Sequence, residues 1–222
     1  MSRLLTPQIG RRHVVRGIAA ITAASLIPGE RGASAAPELV TTPRQTEGPF
    51  YPTDWTGDAD NDLVLVKGEA AQALGEITHV VGRVLDTSGA PIPDARIEIW
   101  QCDSTGVYHH PRDTSRLRKR DAQFQGRGRT HSANNGAYAF RTIRPVAYPG
   151  RTPHIHFAID VPGRPQLITQ MYVAGEPLNG RDFILNNIRD ARQRDSVIVR
   201  LEPGERLEAG ALVGTFDIVL AG

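Results

Sequence analysis

The sequence contains only one cysteine, Cys102, in 222 residues. A single thiol excludes an intrachain disulfide and any metal site built from a cluster of cysteines. The sequence also lacks a long hydrophobic run: the apolar segment 17–28 is too short for a membrane span, because about 20 apolar residues are needed to cross a bilayer. Any metal site must therefore take most or all of its ligands from other side chains.

The composition is that of an ordinary globular protein. Hydrophobic residues make up 40% and charged residues 23% of the chain, which is enough for one well-buried core. The 22 glycines and 16 prolines indicate many turns. Frequent turns favour a β-rich fold over a helical bundle.

The net charge of +2 is unevenly distributed. Residues 1–36 carry five arginines and one glutamate, a net charge of +4, whereas the remainder holds 21 basic and 23 acidic residues, a net charge of −2. The basic excess belongs to the leader, so no nucleic-acid partner is predicted.

Residues 1–36 have the organisation of a twin-arginine signal peptide. A basic region with Arg11 and Arg12 precedes the apolar segment 17–28, and the small residues 33–35 mark a cleavage site. We therefore predict transport by the twin-arginine export machinery to the periplasm or outside, with no membrane association of the mature chain. The alternatives are a general secretory signal or a disordered tail. Export in the folded state would let a metal-binding protein acquire its metal in the cytoplasm.

After the leader we predict an N-terminal arm, 37–62, and one β-sandwich domain, 63–222. Glycine, proline and aspartate exclude regular structure from the arm. Its large rings Phe50, Tyr51 and Trp55 are expected to pack on the domain, either as simple packing or with one ring reaching into a pocket. A long loop, 102–129, carries aromatic and histidine residues, which favours a functional role. Its basic run, 116–120, is predicted to be a solvated surface or to steer an anionic ligand.

The domain is all-β, with about eight short strands, long loops and one short helix at 181–192. Glycine and proline in the turn at 87–91 predict that the second and third strands form a hairpin. The predicted strands are 63–66, 76–86, 95–101, 137–143, 154–160, 167–173, 196–201 and 214–220.

The stretch Y-P-G-R-T-P-H-I-H-F, 148–157, carries the strongest functional signal. His154 and His156 share one face of a strand because side chains alternate, so both imidazoles can bind one metal ion. The alternative is that both rings only satisfy hydrogen bonds in the core. Zinc hydrolases, cupin-type sites and copper proteins also use such pairs, so the other ligands decide between them.

Carboxylates are poor candidates for these ligands. Asp160 shares the parity of the histidines but lies at the strand end, whereas Tyr148 precedes the pair on a turn and Tyr108 lies in the long loop. A phenol titrates near pH 10, so phenolate ligation requires a strongly Lewis-acidic cation. Ferric iron fits this requirement better than zinc or ferrous iron.

Several ordered motifs resemble the intradiol ring-cleavage dioxygenases, over about residues 45–220. The resemblance is closest to the iron-binding (beta) subunit of protocatechuate 3,4-dioxygenase. The flanking strings Q-T-E-G-P-F-Y and F-Q-G-R-G-R agree with the family. The ligand motifs of the family are matched by T-G-V-Y-H (105–109), P-V-A-Y-P-G-R (145–151) and P-H-I-H-F (153–157).

The resemblance implies a non-haem Fe(3+) site held by Tyr108, Tyr148, His154 and His156. It implies that Tyr148 leaves the iron when a catechol substrate binds and helps to remove a substrate proton. Arg151 would stabilise the anionic substrate, and Gln170 would lie near the iron. The activated catechol would react with O2, opening the ring between its two hydroxylated carbons to give a cis,cis-muconate-type diacid.

The sequence departs from the family in ways that leave the substrate open. Gly150 stands where protocatechuate enzymes often have tryptophan, and the chain has no room for the helical dimerisation domain of the catechol and hydroxyquinol branches. A homo-oligomer or a second subunit remains an open alternative. The region 82–99 also resembles transthyretin-like β-sandwich modules, so an exported binding domain without catalysis is the rival interpretation.

Overall fold

The computed structural model describes residues 39–114 and 118–222. The predicted signal peptide, the first two residues of the arm and residues 116–117 of the basic run lie outside this range, so the prediction of export stays a prediction. Among the described residues, no helix has the length and apolar character that a membrane crossing requires.

Strands dominate the described chain, and the prediction of an all-β sandwich is confirmed. Three short helical segments follow the sixth strand: a 3-10 helix, Pro177–Arg181, then α1, Phe183–Asn186, and α2, Ala191–Ser196. The strands are β1 Ile77–Asp86, β2 Arg96–Trp100, β3 Arg127–His131, β4 Ala137–Ile143, β5 His154–Asp160, β6 Leu167–Val173, β7 Ile198–Val199, β8 Leu201–Pro203, β9 Leu212–Thr215 and β10 Ile218–Leu220.

The strands form two five-stranded sheets. In the first sheet, β1 pairs with β4 along one edge and with β9 and β10 along the other, and β8 extends the sheet beyond β9. The second sheet has the order β3-β2-β5-β6-β7. β5 therefore lies at its centre, with antiparallel neighbours on both sides.

Side chains alternate along β5, so one face of the strand points into the sandwich core and the other carries the two histidines. Ile155, Phe157 and Ile159 belong to the main apolar cluster, which also holds residues of the first sheet such as Val80 and Phe140. The intervening His154 and His156 are nevertheless almost fully buried. Both faces of β5 are thus covered, one by the first sheet and the other by the arm and the long loop.

The outer cover of the second sheet is a smaller apolar cluster. Phe50 and Tyr51 of the arm pack on it, as the sequence predicted for these rings. The hydroxyl of Tyr51 donates to Glu98 on β2 at 2.7 Å, and burial together with that carboxylate raises the pKa of Tyr51 to about 12. The buried members of this smaller cluster are Trp100, Cys102, Tyr108, Ala158 and Ile168.

Two details of the predicted strand pattern were wrong. Residues 63–66 form no strand; only Asp62 makes an isolated bridge, to Arg141, and Leu63 and Val64 are buried as a loop against the core. β1 and β2 are not a hairpin, because they belong to opposite sheets and only Leu85 and Pro91 form a bridge near their connection.

The C-terminal region also differs from the prediction. The helix expected at 181–192 is divided, because Asp182 and Asp190 each cap the start of a new segment through side-chain hydrogen bonds to backbone amides. The strand expected at 196–201 is divided into β7 and β8. β3 is a strand paired with β2, although its first three residues lie in the predicted long loop.

The strand expected at 214–220 is also divided, into β9 and β10. Both pair with β1 in the same register. The expected strand is interrupted where Asp217 accepts the backbone N–H of Arg83 with its side chain, at 2.8 Å. The carbonyl of Phe216 also approaches Gly82 so closely that a Cβ there would lie 2.0 Å from its oxygen. Only glycine permits this contact.

Arg141 on β4 links the first sheet to distant loops. Its guanidinium donates to both carboxylate oxygens of Glu208 at 2.7 Å and to Asp62 at 3.1 Å, and His79 on β1 lies 3.0 Å from Glu208. The hydrogen bond from Arg141 lowers the pKa of Glu208 to about 2. A bidentate arginine–carboxylate pair is among the stronger ion pairs in proteins.

We predict that Glu208→Gln destabilises the protein by about 1 to 2 kcal/mol near neutral pH. Because the folded pKa of Glu208 is depressed, its contribution is present above the ordinary glutamate pKa and is lost as pH falls toward 2. Chemical denaturation from pH 7 to pH 2.5 measures this difference. Glu202→Gln, at an exposed position on β8, is the control, and a pH-independent loss in Glu208→Gln would contradict the prediction.

Candidate metal centre and active site

The turn before β5 presents Tyr148 and Arg151 at the site. The backbone N–H of Arg151 donates to the carbonyl of Tyr148 at 3.0 Å, which closes a four-residue turn. Pro149 and Gly150 occupy its centre, and Gly150 has φ +85°. Proline followed by a residue of positive φ is the pattern of a type II turn, so this stretch fixes the local backbone by itself.

The long loop presents Tyr108 through hydrogen bonds to aspartate side chains. One oxygen of Asp103, which has no solvent exposure, accepts the amides of Thr105 and Val107, and its other oxygen accepts the amide of Asp121 at 2.8 Å. Asp113 accepts the amide of Tyr108 at 2.7 Å. These side-chain hydrogen bonds take the place of the backbone hydrogen bonds of a regular strand or helix and fix the conformation of the loop.

Sheet register surrounds the two histidines with specific neighbours. His156 on β5 pairs with Trp100 on β2 and with Gln170 on β6, and His154 pairs with Tyr172. Trp100 stacks on the His156 imidazole, with ring centroids 4.8 Å apart and an interplanar angle of 9°. Both imidazoles are therefore held rigidly.

Three polar atoms from separate parts of the chain converge on one point. The Nε2 atoms of His154 and His156 lie 3.2 Å apart, and the hydroxyl of Tyr108 lies 3.5 Å from Nε2 of His154. The Tyr148 ring lies beside them, with its centroid 5.5 Å from the rings of both Tyr108 and His154. The structure brings together the four residues that the sequence nominated as metal ligands.

The protonation of His154 follows from its hydrogen bond. Its Nδ1 lies 2.6 Å from the carbonyl oxygen of Thr152, which can only accept, so Nδ1 carries the proton and Nε2 presents a lone pair. Burial, helped by the charge of Arg151, lowers the pKa of His154 to about 4. The ring is therefore neutral at physiological pH.

His156 is a neutral imidazole as well. Burial first, then its two neighbours His154 and Arg151, hold its pKa well below the usual range. Within the described part of the chain, its Nδ1 is buried without a hydrogen-bond partner. An unsatisfied polar atom of this kind destabilises a protein unless the ring gains another interaction.

The two phenols differ in exposure. Burial raises the pKa of Tyr108 well above its ordinary value, and the nearby groups Cys102 and Tyr148 add to the effect. Burial also raises the pKa of Tyr148, but the adjacent Arg151 opposes that shift. Tyr148 is the partly exposed phenol of the pair, whereas Tyr108 is only 3% exposed.

Arg151 and Gln170 form a hydrogen-bonded pair at the edge of this cluster. An Nη atom of Arg151 donates to Oε1 of Gln170 at 2.6 Å, and the Gln170 amide donates to the carbonyl of Thr46 in the arm at 2.9 Å. Arg151 is 8% exposed and Gln170 is fully buried. The sequence had nominated both residues for the site.

The arm completes the cover over the convergent nitrogen and oxygen atoms. Phe50 stacks on Tyr108 with ring centroids 4.6 Å apart. Gly48, with φ +74°, passes so near His156 that a Cβ would lie 3.4 Å from its Cε1 atom. Gln45 accepts the Tyr172 hydroxyl at 2.6 Å, which fastens the arm to β6.

Sequence reasoning missed four residues that shape this site. Trp100 was placed on a strand without a role in the site, Phe50 was not distinguished from the other two rings of the arm, and Gly48 was not singled out. Asp182 was assigned to the region of the single helix, although its carboxylate binds Arg151 at 2.8 Å. The Q-T-E-G-P-F-Y string was the available signal for Gly48 and Phe50, but nothing local to Asp182 points to Arg151.

The donor set fits a single metal ion. Two nitrogens bound to one ion at about 2.1 Å lie roughly 3.0 to 3.4 Å apart for angles between a right angle and a tetrahedral one, which includes the observed separation of the two Nε2 atoms. Among the described residues, no group of three His, Cys, Asp or Glu side chains could hold a metal. The protein atoms nearest to this point are the two imidazole nitrogens and the phenol oxygen of Tyr108.

The comparisons with known proteins agree with this geometry. The family model described as "Dioxygenase" matches residues 46–222. The chain is 38% identical over 188 residues to the protocatechuate 3,4-dioxygenase beta chain of Burkholderia cepacia, covering 81% of this chain and 79% of that protein. It is 33% identical to a hydroxyquinol 1,2-dioxygenase of Nocardioides simplex, covering 68% of this chain and 57% of that protein.

Solved structures extend the comparison. The dioxygenase domain of a dioxygenase–carbohydrate-binding fusion from Streptomyces sp. SirexAA-E has a TM-score of 0.63 at 30% identity, covering 82% of this chain and 99% of that one. The chain spans only 52% of the length of a matched catechol 1,2-dioxygenase from a Pseudomonas strain. The protein belongs to the intradiol ring-cleavage dioxygenase family and is a dioxygenase. This membership supports an enzyme and not the rival binding module.

We predict that His156→Leu keeps or raises the thermal midpoint of the metal-free protein, because it removes a buried imidazole with an unsatisfied Nδ1. The same variant should lose any rise in midpoint that added metal gives the wild type. Phe157→Leu is the control, since its side chain faces the sandwich core and its loss of volume should lower stability by about 1 to 2 kcal/mol. Equal destabilisation by both variants in the absence of metal would contradict the prediction.

Proposed function

We propose that the protein is a non-haem Fe(III)-dependent intradiol dioxygenase that opens the ring of a catechol-type substrate with O2. Tyr108, Tyr148, His154 and His156 would hold the iron. The observation that carries the proposal is the convergence of two neutral imidazole Nε2 atoms and the Tyr108 hydroxyl, buried together in a member of this family.

The phenols favour ferric iron over other metals. Because burial raises the pKa of both Tyr108 and Tyr148, each remains protonated in the metal-free protein, and its deprotonation requires a cation of high charge. Zinc and ferrous iron more commonly take carboxylate or thiolate with imidazole. Two phenolates also stabilise the trivalent state of iron relative to the divalent state.

The residues around the ligands have separate roles in the reaction. Bound ferric iron would supply the Lewis acidity that activates a catecholate toward O2. Tyr148 is the partly exposed phenol and lies on a turn, so it is suited to accept a hydroxyl proton from the arriving substrate. The permanent positive charge of Arg151 stabilises negative charge on the substrate, and Gln170 orients Arg151.

The proposed substrate is a protocatechuate-like or otherwise substituted catechol. Both oxygen atoms of O2 would enter the product as the bond between the hydroxylated carbons breaks, which gives a cis,cis-muconate-type diacid without an external reductant. Gly150 leaves open space where protocatechuate enzymes often have tryptophan, because a Cβ built there meets no atom within 4 Å. The relatives are named for protocatechuate, hydroxyquinol and catechol. All three substrates contain a catechol ring, but they differ in the substituent on that ring.

We predict that the iron-loaded protein is burgundy, because phenolate-to-iron(III) charge transfer absorbs visible light. Tyr108→Phe and Tyr148→Phe should each weaken or shift this band. Tyr138→Phe is the matched control, because Tyr138 is also a buried phenol with a raised pKa but donates to the carbonyl of Phe216 in the sandwich core. A colourless iron-replete wild type, or a band that neither ligand substitution changes, would refute the ligand assignment.

Oxygen uptake tests the reaction itself. We expect the iron-loaded protein to consume one O2 per catechol ring opened when it is offered catechol, protocatechuate, hydroxyquinol and substituted catechols. Mass spectrometry after reaction in 18O2 should find both labelled atoms in a muconate-type diacid. Arg151→Ala should lower kcat by about 100-fold, since it removes a charge that acts on the reacting substrate. Tight catechol binding without O2 consumption would instead favour a binding module.

A further inference from the structure

We propose that Asp182 is a positioning residue that holds Arg151 in its working orientation, an inference that rests on the proposed function. Asp182 lies 31 residues beyond Arg151, between the 3-10 helix and α1. Its side chain has no solvent exposure, although a charged group is rarely buried unless it is paired. Burying a charged carboxylate costs free energy, which hydrogen-bonding and charged partners must offset.

The Asp182 carboxylate has such a set. Its Oδ2 atom accepts Nε of Arg151 at 2.8 Å and the backbone N–H of Thr152 at 3.0 Å. Its Oδ1 atom accepts the backbone N–H groups of Ile184 and Leu185, each at 3.0 Å. Burial acts to raise the pKa of Asp182, but the bonds from Arg151 and these amides outweigh it and lower the pKa.

These contacts fix the Arg151 guanidinium from two sides. Asp182 binds Nε at the base of the group, and Gln170 binds an Nη atom at its far end. Two hydrogen bonds to different atoms of one planar group leave it little freedom to rotate. The same carboxylate also binds the backbone of Thr152, two residues before His154, so the guanidinium and the ligand strand share one anchor.

Charge compensation gives Asp182 a second effect on Arg151. The guanidinium is 8% exposed and lies in the same site as the proposed trivalent cation. An uncompensated positive charge there would favour a conformation that turns toward solvent. The buried ion pair keeps the guanidinium inside, where it can act on a bound anion.

Asp190 provides an internal comparison. It caps α2 as Asp182 caps α1, with a side-chain oxygen that accepts the backbone N–H of Gln193 at 3.0 Å. No hydrogen bond or ion pair among the described residues joins it to Arg151. Substituting Asp190 by Asn therefore removes the charge of a helix cap without touching the site.

The test compares Asp182→Asn with Asp190→Asn in the iron-loaded enzyme. We expect Asp182→Asn to lower kcat by about 10- to 100-fold, since misplacing a group that acts on the substrate has effects of this size, while iron content and the charge-transfer band are retained. Asp190→Asn should stay within about twofold of wild type. If Asp182→Asn does not fold, Asp182→Ser keeps a capping oxygen and serves in its place.

A double-mutant cycle separates positioning from general stability. If Asp182 acts through Arg151, Asp182→Asn should change kcat by less than about threefold once Arg151 is alanine. An undiminished effect in that background would overturn the proposal, as would equal losses of kcat in Asp182→Asn and Asp190→Asn.

A measurement on metal-free protein keeps this inference separate from the proposed function. The Nε–H of Arg151 should give a slowly exchanging NMR signal in wild type and in Asp190→Asn, and a fast-exchanging one in Asp182→Asn. Fast exchange in the wild type would overturn the inference whatever the metal. A colourless iron-loaded wild type would overturn the proposed function while leaving this result intact.

Discussion

The burial of β5 on both faces is the constraint on which the rest of the structure depends. One face carries Ile155 and Phe157 into the sandwich, where apolar contacts with the first sheet suffice. The other face carries two imidazoles, whose polar atoms have few partners in an apolar setting. The arm and the long loop bury that face, and among the described residues the Nδ1 atom of His156 is left without a hydrogen-bond partner. The proposed metal would engage nitrogen lone pairs that this cover removes from water.

The cover is assembled from polar backbone contacts rather than from another sheet. Gln45 and Thr46 attach the arm to β6, and Asp103 organises the loop that delivers Tyr108. Such irregular segments can approach the ligand atoms closely, as Gly48 does beside His156. A regular strand in the same place would carry a side chain on every residue and could not pass so close to the imidazole.

Local patterns explain what the sequence could predict. Alternation assigned His154 and His156 to one face, and the proline and glycine after Tyr148 predicted its turn; both features depend only on neighbouring residues. Long-range features were harder. The assignment of β1 and β2 to opposite sheets depends on a crossover that a short connection conceals, and β3 resembles a loop because R-G-R-T-H has few apolar residues. Asp182 reaches Arg151 only through tertiary contact.

The pairing of β1 has a consequence for the timing of folding. One edge of this strand is occupied by β9 and β10, which follow it by more than about 120 residues. A nascent chain therefore exposes that edge while everything between is synthesised, and contacts so distant in sequence form slowly. The polypeptide must avoid aggregation through that edge until its late strands arrive. Newly made chains are thus expected to need a chaperone more than the finished protein does.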